Sequence, residues 1–280
     1  MTNGKDIKVV KRCGDSTPLD LDKIHKMVEY ACEGLAGVSE SAVEMNANLQ
    51  LFDGIETSDI QEILIRSAND LITLDNPNYQ FVAARLLLFA TRKQAFNKNV
   101  WKDGMPSIFD VAAYNATVNK VYDEEILDKY SEEEWHKINS WMEHDRDYLF
   151  TYAGLRQVVD KYLVQDRSTG KVYESPQFMY IMIALTIFAK YPQDKRLDYV
   201  RRYYDATSRH KINIPTPIMA GVRTPLRQFA SCVLVDVDDT IDSIFSSDMA
   251  IGYYVAQRAG IGINAGRIRG INAKIRGGEV

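Results

Sequence analysis

The sequence predicts a mainly α protein with α+β portions: helices capped by a small sheet in front, a helical middle, and the first strand and helices of an incomplete α/β domain. Three observations carry this. Apolar residues recur at helical spacing through most of the first 210 residues. A short alternating run surrounds a Gly-Asp-Ser turn near the start. Beyond residue 211 the sequence turns Pro-containing, strand-like and then Gly-rich.

The elements follow in order. Ile7, Val9 and Lys11 alternate ahead of Gly14-Asp15-Ser16 and predict a hairpin. Ile24, Met27, Val28, Ala31 and Leu35 line one face of a helix over 22–35. A second helix is expected from Ser58, with Ser58 and Gln61 as a capping box. The run over 78–96 is apolar nearly all round, which predicts a helix buried on most sides. Further helices are expected over 123–144, 148–162, 176–190 and 196–209, the first of them broken near Ser131 by the acidic run that follows. Gly170 marks a turn between extended pieces. INIPTPIMAG has two prolines and no helical period, SCVLVDV reads as a buried strand, and 240–257 reads as a helix running into a Gly-rich stretch. One strand and one helix cannot cover both faces of a sheet, so the pattern ends unfinished at RGGEV.

Composition excludes several classes. A net charge of −4 and a pI near 5.7 give no basic field, which argues against DNA as a partner. Cys13, Cys32 and Cys232 form no CxxC, which argues against a disulfide framework and against a metal site on this chain. The start has no apolar h-region, and the most apolar stretch, 178–189, is shorter than the roughly 20 residues that span a bilayer. A reducing, cytoplasmic location without a membrane partner is expected.

Two segments invite chemistry. In front, Lys11, Thr17, Lys23, Thr57 and Lys93 punctuate the hairpin and the helices after it. Cations near helix N-termini can cradle a triphosphate, although by spacing alone they read more readily as solvated surface lysines. Further on, PTPIMAGVRTPLRQFASCVLV leads into Cys232. A cysteine before a Val/Leu run is often a small core residue, whereas Arg223 and Arg227 nearby are of the kind that depresses a thiol pKa. The glycines at 260, 262 and 266 do not make G-x-G-x-x-G; as a bare pattern they suggest a tight turn.

VVKRCGD, LDLDKIHKMVEYACEGL, DGIETSDIQEILIRSANDLI and YQFVAARLLLFATRK together resemble the ATP-cone, the allosteric domain in front of many ribonucleotide reductases. The resemblance implies ATP or dATP contacts from Lys11, the stretch from Thr17 to Lys23, Thr57 and Lys93. Cones that respond to dATP often carry Glu at the position of Thr17 and His at those of Gln61 and Ala90. These departures imply a cone that folds while dATP inhibition is weakened.

PTPIM-G-RTP-RQF-SC resembles the substrate segment of class I ribonucleotide reductase large subunits, of the bacterial and phage type. By that resemblance Cys232 is one of two cysteines that reduce the ribonucleotide and become a disulfide, with Thr216, Ser231 and Gly260 around the substrate. Ala230 stands where relatives often have a first Ser. Asp239, Thr240, Ile241, Arg269 and Arg276 match the specificity site, which binds a deoxynucleoside triphosphate. The implied domains are an ATP-cone at 1–98, a helical domain at 99–212, and the start of the catalytic α/β barrel at 213–280. The implied activity is thiyl-radical reduction of ribonucleoside diphosphates. The radical cysteine is expected on a separate C-terminal chain, so this chain is expected to be inert alone. A natural split enzyme is favoured over a truncation because the break falls in a Gly-rich stretch.

The implied partners are the C-terminal portion of the large subunit, a small subunit bearing a di-iron tyrosyl radical, a thioredoxin or glutaredoxin type reductant, and a second large subunit. A cobalamin-dependent relative shares much of the chemistry, but the cone and helical middle resemble the di-iron class better. The competing reading is a non-catalytic nucleotide-sensing or scaffolding module that uses only the cone and the specificity residues.

Overall fold

A computed structural model of the chain describes residues 7–97, 104–226, 229–257 and 259–274. Contacts divide it into two compact units, Met1–Ile212 and Asn213–Val280. Among the described residues no helix is long and apolar enough to cross a membrane.

The first unit opens with the predicted hairpin. Strand β1 (Lys8–Val10) pairs antiparallel with β2 (Ser16–Pro18), and Gly14 turns the chain with φ +87°. A third strand, β3 (Ile55–Glu56), lies parallel to β1 on its other side, giving the order β2-β1-β3. Two residues carry no readable alternation, and their pairing depends on contacts far apart in sequence, so periodicity does not show β3. Helix α1 (Leu21–Cys32) starts one residue earlier than expected and is capped by the Asp20 carboxylate on the Lys23 amide. Helix α2 (Glu40–Asn48), capped by Ser39, was not anticipated; only Val43 and Ala47 of it are buried, too narrow a stripe to stand out.

Helix α3 (Thr57–Asp70) corrects the expected capping box. Its N-cap is Glu56, with no side-chain cap bond, and the Ser58 hydroxyl donates to the Glu56 carboxylate instead. Gln61 is turned away from the helix start, and its amide donates to the Leu86 carbonyl at 2.9 Å. That carbonyl lies in α4 (Tyr79–Phe96), the buried helix the apolar run predicted. Val28 and Ala31 of α1, Leu64 and Ala68 of α3, and Val82, Leu86 and Leu88 of α4 are each at most 1% exposed. Burying each Val or Leu contributes about 1.5–3 kcal/mol. The alanines keep the backbones close enough for these side chains to interlock.

The helical part continues with α5 (Ile108–Thr117), α6 (Glu132–Asn139), α7 (Tyr152–Gln157), α8 (Pro176–Phe188) and α9 (Gln193–Ser208). The break expected near Ser131 is present: a 3-10 segment (Glu124–Lys129) ends there, and Ser131 with Glu134 closes a capping box on α6. The stretch expected as one helix over 148–162 is shorter and composite. A 3-10 segment (His144–Leu149) precedes α7, which runs on into a π turn (Val158–Tyr162). Gly170, at φ +71°, turns a chain whose extended flanks meet at Gln165 and Val172. Helix α8 is the most buried, with Phe178 to Leu185 enclosed.

The second unit departs from expectation in three places. Thr216-Pro217 opens a short helix, α10 (Thr216–Gly221), inside a segment read as non-helical. Proline fits the first turn of a helix, where its missing N–H is not needed. Strand β4 (Cys232–Asp236) is present but exposed, with Leu234 at 87%. Helix α11 (Ile241–Ala256) falls one residue inside the expected bounds at each end and is capped by Thr240. The Gly-rich run then forms β5 (Gly260–Asn264), parallel to β4 and in register from Cys232↔Gly260 to Asp236↔Asn264. This strand-helix-strand piece leaves Leu234, Phe245, Met249 and Tyr253 more than half exposed.

Candidate functional site

The end of the cone sheet assembles several predicted nucleotide residues. Val10 pairs with Glu56, so Lys11 and Thr57 each directly follow the last paired residue of β1 and β3. Thr17 pairs with Val9 on the other flank of β1. Lys23 lies in the first turn of α1, where it pairs with Asp20 at 2.8 Å. The α3 amides have no side-chain cap, which leaves the positive end of that helix available to an anion. Lys93 lies in the last turn of α4, about two turns beyond the carbonyl held by Gln61. Lys11 and Lys23 are exposed; Thr17, Thr57 and Lys93 are half-buried. This donor set of lysines, hydroxyls and free amides suits a polyphosphate. Gln61, by contrast, is occupied in pinning α3 to α4.

The second unit holds the cysteine. Cys232 opens β4 directly opposite Gly260, and the Gly260 amide donates to the Ser231 carbonyl at 2.8 Å. The Cys232 sulfur is 4.0 Å from the Ser231 hydroxyl. A Cβ on Gly260 would stand 3.9 Å from that sulfur and 3.5 Å from the Ser231 carbonyl. Both are ordinary van der Waals distances, so Gly260 is in direct contact range of the thiol. Ser231, Cys232 and Gly260 are thus brought together, and the thiol is exposed. Thr216 stands exposed at the start of α10, and no described hydrogen bond joins it to Cys232. Arg223 is buried and donates to the Met219 carbonyl. Arg227 lies outside the described residues.

At the other end of the two strands, Asp239, Thr240 and Ile241 form the entry to α11. Arg269, five residues past β5, bonds to Asp239 at 2.7 Å. Sequence reading missed Arg267, which pairs with Asp236 at 3.1 Å and Asp238 at 3.0 Å. These carboxylates hold its guanidinium pKa above the usual arginine value, the Asp238 hydrogen bond contributing most. The alternation of Arg267 and Arg269 on the same stretch was the available signal. Arg276 lies outside the described residues. Among the described residues no group of three or more His, Cys, Asp or Glu side chains is placed to hold a metal ion.

Along the chain the described residues thus form a small sheet on helices, an all-helical segment and a strand-helix-strand piece with a cysteine at its mouth. The comparisons agree. Residues 7–94 match the ATP cone domain, residues 148–227 the all-alpha domain of ribonucleotide reductase, and residues 230–280 its barrel domain. The chain is 50% identical to the ribonucleoside-diphosphate reductase subunit alpha of Haemophilus influenzae, over 98% of this chain and 36% of that protein. It is 49% identical to the reductase 1 subunit alpha of Escherichia coli over the same shares, and 43% identical to the subunit alpha of Enterobacteria phage T4, over 98% of this chain and 35% of that protein. This chain belongs to the ribonucleotide reductase large-subunit family and corresponds to its N-terminal part. It spans about a third of the length of the curated relatives it matches.

Proposed function

We propose that this chain is the part of a ribonucleoside-diphosphate reductase that carries one redox cysteine, a portion of the substrate site and two nucleotide-effector sites. The observation that carries this reading is the mouth of the β4–β5 pair, where an exposed Cys232 thiol stands against Gly260 and Ser231.

In the proposed reaction Cys232 and a second cysteine each lose a hydrogen and join as a disulfide. The two electrons reduce the 2′-carbon of the nucleotide, and the 2′-hydroxyl leaves as water. A thiyl radical on a third cysteine starts the reaction. Cys13 and Cys32 cannot supply these thiols. Both lie in the cone, and burial pushes the Cys32 thiol up to about 12, which keeps it protonated. The second and third cysteines therefore come from polypeptide outside these 280 residues. A small subunit with a di-iron tyrosyl radical supplies the radical, and a thioredoxin or glutaredoxin type protein restores the thiols. The exposed apolar face of α11 and the open faces of β4 and β5 are the surfaces for the remaining barrel and a second large subunit. The cone at 1–98, the helical domain at 99–212 and the barrel start at 213–280 divide these tasks in a cytoplasmic enzyme.

In the cone, Lys11, Thr17, Lys23, Thr57 and Lys93 hold ATP. At the second site, Asp239, Thr240, Ile241, Arg269 and Arg276 hold a deoxynucleoside triphosphate, with arginines on the phosphates and the carboxylate on the sugar hydroxyl. The test is reduction of ribonucleoside diphosphates by the assembly reconstituted with the remaining large-subunit polypeptide and the small subunit. Activity is expected only with this chain present and is abolished by Cys232→Ser. Full activity of Cys232→Ser refutes the assignment and favours a nucleotide-sensing module.

A further inference from the structure

Helix α4 has two working faces. Lys93 belongs to the proposed nucleotide face. Its neighbour Arg92 points into the helical part of the same unit, where its side chain is 4% exposed. Arg92 Nη2 donates to Asp147 Oδ2 at 2.8 Å and to the His144 carbonyl at 2.8 Å. Asp147 is completely enclosed, and its other oxygen accepts from the Gln177 amide of α8 at 2.8 Å. The Gln177 carbonyl accepts from the Tyr204 hydroxyl of α9 at 2.7 Å, and that hydroxyl accepts from the Glu143 amide at 3.0 Å. One unbroken polar chain thus runs from α4 through the 3-10 segment to α8 and α9.

A second set of contacts reinforces the same joint. The Arg85 and Arg92 guanidiniums lie over the Tyr148 ring, 4.9 and 5.9 Å from its centroid. Arg85 also donates to the Ala31 and Glu33 carbonyls at the end of α1. Phe96, the last residue of α4, meets Phe178 of α8 edge-on at 5.1 Å. The second half of α4 is therefore fastened to Tyr148 and to Phe178 of α8, and Arg85 ties the end of α1 to the same place.

A buried ion pair of this kind resists partial separation, because either charge left alone in the interior is strongly disfavoured. We propose that the Arg92–Asp147 joint, extended through Gln177 and Tyr204, couples nucleotide occupancy of the cone to helices α8 and α9. The inference rests on the reading of the cone as a nucleotide site, and it names the residues that carry the signal away from that site. Helix α9 then continues in sequence, through 209–215, to the segment that holds Thr216.

The test uses the full chain, ATP as the probe, and hydrogen exchange read by mass spectrometry. In the unaltered chain ATP slows exchange in the cone, in His144–Leu149 and in Gln193–Ser208. Asp147→Asn keeps ATP binding and loses the response in both distant segments. Asp147 is buried with a charge, so this variant is paired with the milder Tyr204→Phe, which leaves the Arg92–Asp147 bond intact. Tyr204→Phe keeps the response in His144–Leu149 and loses it in Gln193–Ser208. If Asp147→Asn does not fold, Tyr204→Phe decides alone. An unaltered chain that binds ATP without any response beyond the cone overturns the coupling and leaves the nucleotide site standing. The coupling is equally overturned if Tyr204→Phe responds as the unaltered chain does. Failure of the unaltered chain to bind ATP overturns the nucleotide reading, and the coupling with it.

Discussion

His144 gives the sharpest test of the packing inside the first unit. Its ring lies 5.2 Å from Phe178, its Nδ1 is buried with no hydrogen-bond partner, and its carbonyl accepts from Arg92. Burial, with a smaller contribution from the Arg92 charge, lowers its pKa from 6.5 to about 4. The folded state thus holds the ring neutral, while the unfolded chain takes up a proton near pH 6.5. The sign follows. Stability from this group is fully present above pH 6.5, falls as the pH drops, and levels off below about 4. At 1.36 kcal/mol per pKa unit the full loss is about 3 kcal/mol, and about 2 kcal/mol is already lost at pH 5. His144→Phe removes the titration and an unsatisfied buried nitrogen while keeping an aromatic ring against Phe178. It should therefore be near neutral at pH 8 and more stable than the unaltered chain by about 2 kcal/mol at pH 5. Urea unfolding at both pH values measures this, with Trp135 and Trp141 as reporters in the same unit. Equal loss of stability by both proteins between pH 8 and pH 5 would refute the assignment of a neutral, enclosed His144.

Three further outcomes follow from the structure. Leu88→Ala, at a completely buried position of α4, should destabilise the first unit by about 2–5 kcal/mol, read as a lower urea midpoint. Asp239→Asn removes the charge that Arg269 bonds and should weaken deoxynucleoside triphosphate binding to the second unit by about 1.5–3 kcal/mol, measured by calorimetry, with ATP binding in the cone unchanged. Because the Gln61 amide is committed to the Leu86 carbonyl, the reconstituted enzyme should keep most of its activity at low micromolar dATP; strong inhibition there contradicts the reading of Thr17, Gln61 and Ala90.

What the sequence shows and hides has physical causes. The long helices were readable because one-sided burial imposes a period on the side chains of α1 and burial on most sides leaves α4 apolar nearly all round. The helix start at Ser131 was readable because an acidic run that suits a helix N-terminus is local; the capping box that closes there was seen only in the structure. The capping box expected at Ser58 misled, since nothing local says that Gln61 reaches a carbonyl 25 residues away. Strands β3 and β5 were hidden for related reasons. The first is too short to alternate, and the second is built on glycines that resemble a turn until Cys232↔Gly260 register is seen. Strand β4 was expected to be buried because Val and Leu fill it, yet its faces are open in this chain. Of the site, resemblance singled out Cys232, Ser231 and Gly260, and the strand register brings them together. The partners of Arg267 and the buried chain from Arg92 to Tyr204 depend on pairings across 27 to 55 residues; for Arg267 the sequence offered only its alternation with Arg269, and for the buried chain no pattern.

The central claim, that the thiol at the mouth of β4 and β5 is a working reductant, is tested most directly by following Cys232 through one turnover. The assembled enzyme is given one equivalent of ribonucleoside diphosphate without an external reductant, quenched with an alkylating agent, and mapped by mass spectrometry. Cys232 is expected to pass from free thiol to a disulfide with a cysteine outside this chain, in step with the deoxynucleotide formed, while Cys13 and Cys32 are recovered as alkylated thiols. Deoxynucleotide formed with Cys232 still a free thiol would contradict the claim.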